Sequence, residues 1–144
     1  MEYNGEAFAS STLAGHEASN AFLSSGGTWV SAEEFPQQVW FQFKDGFVLT
    51  KIGLYVGKCS HRCPTKIEII AGNDCGSADA FRRPRVLLGT QIPYVDPEER
   101  APNSWIIPEE NRAVYRCYGI KVLKAIKSRD RGSLGKVRMW TTRR

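Results

Sequence analysis

Apolar and polar positions alternate with a period of two along most of the chain. From Phe47 to Val56 the even positions Val48, Thr50, Ile52, Leu54 and Val56 form one apolar-leaning face. A helix, repeating every 3.6 residues, does not produce this pattern. Between Thr65 and Ala71, Ile67, Ile69 and Ala71 fall on one side and Lys66, Glu68 and Ile70 on the other. Val39, Phe41 and Phe43 alternate with Trp40, Gln42 and Lys44, while Tyr118, Ile120 and Val122 alternate with Gly119, Lys121 and Leu123. Shorter strands are predicted near residues 8–11, 85–90, 104–107 and 137–141, with one short helical stretch over 16–22. Gly, Pro, Asn and Asp turns punctuate these runs, so the expected class is all-β, a sandwich or jelly roll of about eight short antiparallel strands.

The 144 residues, 42% of them hydrophobic, suit one domain over 1–144 with a core that needs neither metal nor disulfide. No apolar run is long enough for a membrane-spanning helix. The first residues, MEYNGEAFASST, lack the basic start and apolar stretch of a signal peptide. The compartment stays open: extracellular or cell-surface if the chain is one domain of a longer protein, otherwise cytoplasmic. The formal charge of +5 is uneven, since residues 110–144 carry eleven basic and two acidic side chains. That bias favours anionic partners and leaves attachment to an acidic membrane surface open. Nucleic acid is disfavoured, because strand alternation sends Lys121 and Lys124 to different faces.

A family likeness runs through the chain in order. ASST (Ala9 to Thr12), ASNAF (Ala18 to Phe22), TWVS (Thr28 to Ser31), PQQVWFQFK (Pro36 to Lys44), FVLTKIGLY (Phe47 to Tyr55), TKIEIIAGND (Thr65 to Asp74) and CYGIKVLKA (Cys117 to Ala125) together resemble the discoidin family. These modules, also called coagulation factor type C domains, are galactose-binding-like jelly rolls. The resemblance implies binding by three loops at one end of the barrel, here residues 12–16, 58–63 and 128–134. They contribute His16, then His61 and Arg62, then Arg129 and Arg131. Arginine forks suit carboxylates, sulfates, phosphates and sugar hydroxyl pairs, and histidine adds a donor that titrates near neutral pH. Solvated loop residues are the plainer alternative for each. Where many relatives have the Asp-Gly of a calcium site, this chain has Leu23-Ser24, so no cofactor is expected and calcium lacks a usual carboxylate. The clasp between terminal strands found in extracellular members is absent, because no cysteine lies near either end. Membrane-binding relatives carry large apolar side chains at the loop tips, where only Leu13 and Leu134 qualify.

Cys59 and Cys63 bracket the loop segment CSHRC. The spacing admits a small disulfide ring, a partial metal site with His61, or two free thiols; Cys75 and Cys117 are not spaced as a second zinc knuckle, so no metal site is assigned. Cys117 reads as a buried strand residue, and Cys75 is undetermined. Trp29, Trp40 and Trp140 are expected to pack in the core, with Trp105 more exposed. Catalytic signatures are missing. GSLGK (Gly132 to Lys136) is too short for a phosphate-binding loop, and His16 and His61 have no nucleophile setting. The expected function is therefore a non-catalytic binding module, lectin-like or adhesive, for a glycan or other anionic ligand. An intracellular protein-interaction domain with a protein partner, of the ciliary or ubiquitin-ligase type, is the alternative.

Overall fold

The computed structural model describes residues 5–23, 27–56, 63–75, 82–92, 101–125 and 132–142. Among the described residues nine strands carry nearly all of the regular structure: β1 (Gly5–Ala9), β2 (Trp29–Val30), β3 (Gln37–Val56), β4 (Pro64–Gly72), β5 (Arg85–Gln91), β6 (Ala101–Ile106), β7 (Val114–Ala125), β8 (Ser133–Leu134) and β9 (Arg138–Thr142). The helical stretch expected over 16–22 is a single 3-10 turn, Ala18–Phe22. All strand pairs are antiparallel.

The strands run in the order β1-β3-β7-β4-β5, with β6 and β9 both joined to β3. The two segments 39–44 and 47–56, expected to be separate strands, are one twenty-residue strand. Its first half pairs with β1 and β7 and its second half with β6 and β9, so β3 passes from one layer of the sandwich to the other. The register against β7 shifts between Gln42 and Phe47, across Asp45-Gly46, and Val48 pairs with both Val114 of β7 and Thr142 of β9, where the change of partners is made. A bulge of this kind bends a strand and sharpens its twist. Val39, Phe41 and Phe43 from the first half meet Leu49, Ile52 and Leu54 from the second in one core, with Ile67, Ile69, Ile120, Val122 and Trp29.

A second bulge corrects the expected face of residues 48–56. The register against β9 slips between Leu49 and Lys51, so Thr50 is the extra residue. The alternation therefore changes phase: Leu49 joins Ile52 and Leu54 in the core, while Val48 and Thr50 are only half-buried.

Tyr118 holds the first bend. Its hydroxyl accepts from the Leu49 N–H at 3.2 Å and lies within hydrogen-bonding reach of the Phe47 and Ala113 carbonyls, to one of which it donates. Backbone groups that a bulge takes out of the ladder thus keep a partner. Burial pushes the phenol up from 10 to about 12. The folded state favours the neutral phenol, so this stabilisation is complete below pH 10 and is lost as pH rises through about 12. Tyr118→Phe is expected to cost about 1–3 kcal/mol at pH 7, because the buried Leu49 N–H loses its acceptor. Urea unfolding from pH 8 to 12 should show a flatter alkaline loss in the variant, and identical alkaline slopes would contradict the assignment.

On the outward face of the larger layer lies a second apolar cluster: Trp40, Ile70, Cys75 and Cys117, with Phe8 against them. Trp40 donates from Nε1 to Gln38 Oε1 at 2.8 Å and lies over Gly119, its cross-strand partner. A Cβ at Gly119 would stand 3.0 Å from Trp40 Cδ2 and 2.4 Å from the Val39 carbonyl oxygen. Only glycine fits beneath the indole at this place.

Candidate functional site

The ends of the three expected binding loops can be followed from β2 outward. On one side of this two-residue strand, Leu13 N–H donates to Val30 O at 2.8 Å and Val30 N–H donates to His16 O at 3.3 Å. The loop over 12–16 is closed on itself by His16 N–H to Leu13 O at 2.9 Å, and Gly15 turns the chain with φ of +83°, a conformation natural to glycine. On the other side β2 pairs with β8, Trp29 opposite Leu134 and Val30 opposite Ser133. The ladder extends one residue further, with Ser31 N–H donating to Gly132 O at 3.0 Å and Gly132 N–H to Ser31 Oγ at 2.8 Å. Ser31 is fully buried. The first loop and the end of the third are therefore fastened to opposite edges of one short strand.

The second loop arrives from β4. Pro64 is the register partner of Ala125, the last residue of β7 before the third loop, and Cys63 packs into the main core. The close of the second loop thus sits beside the opening of the third. Gly132, at the end of the third loop, lies against Val122 of β7, so the described bases of the three loops fall at one end of the sandwich.

The residues that carry the family likeness are the struts of this end. Ser10 and Ser11 both donate to Gln37 Oε1, at 2.6 and 2.7 Å, and Gln37 Nε2 donates to the Glu34 carbonyl at 2.7 Å. Ser10 Oγ accepts from Gln38 N–H at 2.8 Å and Ser11 Oγ from Ala32 N–H at 3.0 Å. Trp29 donates from its indole to Ser11 O at 2.9 Å. Every one of these side chains satisfies backbone or a neighbouring side chain, so their chemistry is structural.

Of the residues expected to contact a ligand, His16 is described. It is half-buried, and its Nδ1 lies 3.4 Å from Thr28 Oγ1, a long hydrogen bond whose direction depends on the tautomer. His61, Arg62, Arg129, Arg131 and Cys59 lie outside the described residues. Cys63 is disulfide-bonded, whereas Cys75 and Cys117 are free and buried. Leu134, an apolar loop-tip candidate in the sequence, is instead 2% exposed and packs in the core, because its strand pairs with Trp29. Leu23 closes the 3-10 turn with an apolar side chain, which offers no oxygen ligand to a cation. Among the described residues no group of three or more His, Cys, Asp or Glu side chains could hold a metal.

Two tryptophans exchange the places expected of them. Trp140 is 43% exposed on β9, with Lys51 Nζ 4.7 Å from its ring centre, while Trp105 packs against the core. Val137 and Met139 point inward on either side of Arg138, so the alternation turns Arg138 and Trp140 outward.

Solved structures similar to this chain include modules described as carbohydrate-binding. Chitosan-binding module 1 of a chitosanase/glucanase from Paenibacillus sp. IK-5 superposes with a TM-score of 0.71 at 19% identity, covering 96% of each chain. This chain has the jelly-roll fold of carbohydrate-binding modules. The family 32 module of AlyQ, solved with 4,5-unsaturated mannuronic acid, gives a TM-score of 0.72 at 15% identity over 97% of this chain and 98% of that one. The family 32 module of NanJ from C. perfringens, solved with galactose, gives 0.71 at 14% identity over 93% and 91%. No family model and no curated protein matches the sequence. The galactose-binding-like jelly roll is the fold these modules share with discoidin domains, so the sequence resemblance is supported at the level of fold.

Proposed function

We propose that this chain is a non-catalytic carbohydrate-binding module that holds a glycan at the rim of its three loops. The observation that carries the reading is the meeting of the three loop bases around β2 and the end of β7, on a fold whose solved examples include modules in complex with galactose, chitotriose and 4,5-unsaturated mannuronic acid. His61, Arg62, Arg129 and Arg131 belong to the second and third of these loops, and His16 to the first. Arginine forks there favour an acidic sugar, whose carboxylate accepts two parallel hydrogen bonds. A ring formed by Cys59 and Cys63 would stiffen the middle loop and lower the ordering cost of binding. The disulfide at Cys63 also weighs against the intracellular protein-interaction alternative, since such bonds persist mainly in oxidising compartments. Bilayer insertion has little support with Leu134 in the core.

Calorimetric titration against chitosan, galactose-bearing and uronate oligosaccharides, with and without calcium, tests the proposal. One class should bind without a calcium requirement. Arg62→Ala and Arg131→Ala should each weaken that binding about tenfold or more, roughly 1.4 kcal/mol, and move the melting temperature by no more than about 2 °C. Affinity unchanged in both variants, or no binding across the panel, would remove the rim from consideration.

A further inference from the structure

The two free cysteines form a second cluster of reactive groups, remote from the rim loops in the sequence. Cys117 stands on β7 opposite Gly72, and Cys75 lies on the turn that follows Gly72 at the end of β4. Both are fully buried beside Trp40 and Ile70. Cys75 N–H donates to Cys117 Sγ at 3.2 Å. Each thiol also has Gln42 Oε1 at 3.6 Å, so one carbonyl oxygen serves both sulfur atoms and holds them side by side.

We propose that Cys75 and Cys117 are an oxidative modification site, closing a second disulfide that ties the turn after β4 to β7. Cys63 is disulfide-bonded, and the oxidising conditions that maintain such a bond supply the oxidant for a second pair of cysteines that folding brings together. The two thiols are not equivalent. Hydrogen bonding from the Cys75 thiol, and from its N–H, lowers the pKa of Cys117 against the opposing effect of burial. That same hydrogen bond, together with burial, raises the pKa of Cys75. Cys117 is therefore the attacking sulfur. While the chain folds, before Trp40 and Ile70 close over the pair, its thiolate opens a small disulfide such as oxidised glutathione, forming a mixed disulfide and releasing one glutathione. Cys75 then gives up its proton, attacks the Cys117 sulfur and expels the second glutathione. Two electrons pass from the pair to the oxidant, and the two thiol protons end on the two glutathione molecules.

The test is to refold the full chain from denaturant in a buffer of reduced and oxidised glutathione, trap free thiols with an alkylating agent in denaturant, and map the peptides. Cys75 should be found joined to Cys117, with neither alkylated. The bond spans 42 residues, and the oxidised protein should melt about 10 °C above Cys75→Ala prepared in the same way. Recovery of Cys75 and Cys117 both alkylated after equilibration, or an unchanged melting temperature in the variant, would overturn the proposal. Ligand binding plays no part in these readouts, so they stand apart from the fate of the rim.

Discussion

Gly119→Ala is expected to destabilise the domain by about 3 kcal/mol or more. The added methyl group would stand 2.4 Å from the Val39 carbonyl oxygen and 3.1 Å from Trp40 Cα. Both are backbone atoms of the paired strand, so no rotation of a side chain relieves the contact. β3 and β7 must move apart at the pairing of Trp40 with Gly119. The indole above is fully buried, and its displacement would open the outward cluster around Ile70 and Cys117. Gly89→Ala on β5 is the matched control, because there a Cβ meets only Glu68 Cγ at 3.9 Å. Its stability should change by no more than about 0.5 kcal/mol, and could gain from the more restricted unfolded chain. Urea unfolding of the two variants decides the matter: equal midpoints would show that Trp40 does not rest on Gly119.

Trp29→Ala should cost about 3–5 kcal/mol and should weaken ligand binding without the residue touching any ligand. Trp29 is fully buried in the main core, and its indole N–H holds the Ser11 carbonyl at 2.9 Å. It also forms half of the two-residue strand on which the first and third loops hang. Losing it removes apolar contact, leaves a cavity and slackens the rim in one step. Trp140→Ala offers the contrast. That ring is 43% exposed with Lys51 Nζ 4.7 Å from its centre, so the expected loss is about 1 kcal/mol with binding intact. Urea midpoints and calorimetric affinities for the two variants should therefore separate clearly. Comparable losses in both would mean that burial of Trp29 contributes little.

Much of the fold was legible as period-two alternation. Ile67, Ile69 and Ala71 do face the core with Ile120 and Val122, as their spacing required. Local spacing failed where the chain breaks its own period. The extra residue at Thr50 reverses the phase of one strand, and nothing in the composition of FVLTKIGLY marks it. The continuity of β3 through Asp45-Gly46 was hidden too, since these residues are ordinary turn formers and act here as a bulge. Trp140 faces outward through a register with β3 that the local sequence does not encode. The Cys75 and Cys117 pairing depends on a contact between residues 42 positions apart, which alternation cannot reveal.

The site was legible differently. Its loops came from family resemblance, and the motifs behind that resemblance prove to brace the rim: Ser10, Ser11 and Gln37 tie its backbone together, and Ser31 fastens Gly132. What joins the loops is β2, a strand of two residues that is too short to show any periodicity.

The central claim, that a glycan is held where the three loop bases meet, is tested most directly by titrating isotopically labelled protein with the tightest oligosaccharide of the panel and following the assigned backbone amide resonances. The account predicts that the largest shifts fall on residues 12–16, on Cys63 and on Gly132 to Leu134. Shifts concentrated instead around Lys51, Ile106 and Trp140 on the paired strands β3, β6 and β9, with the rim unmoved at saturation, would contradict it.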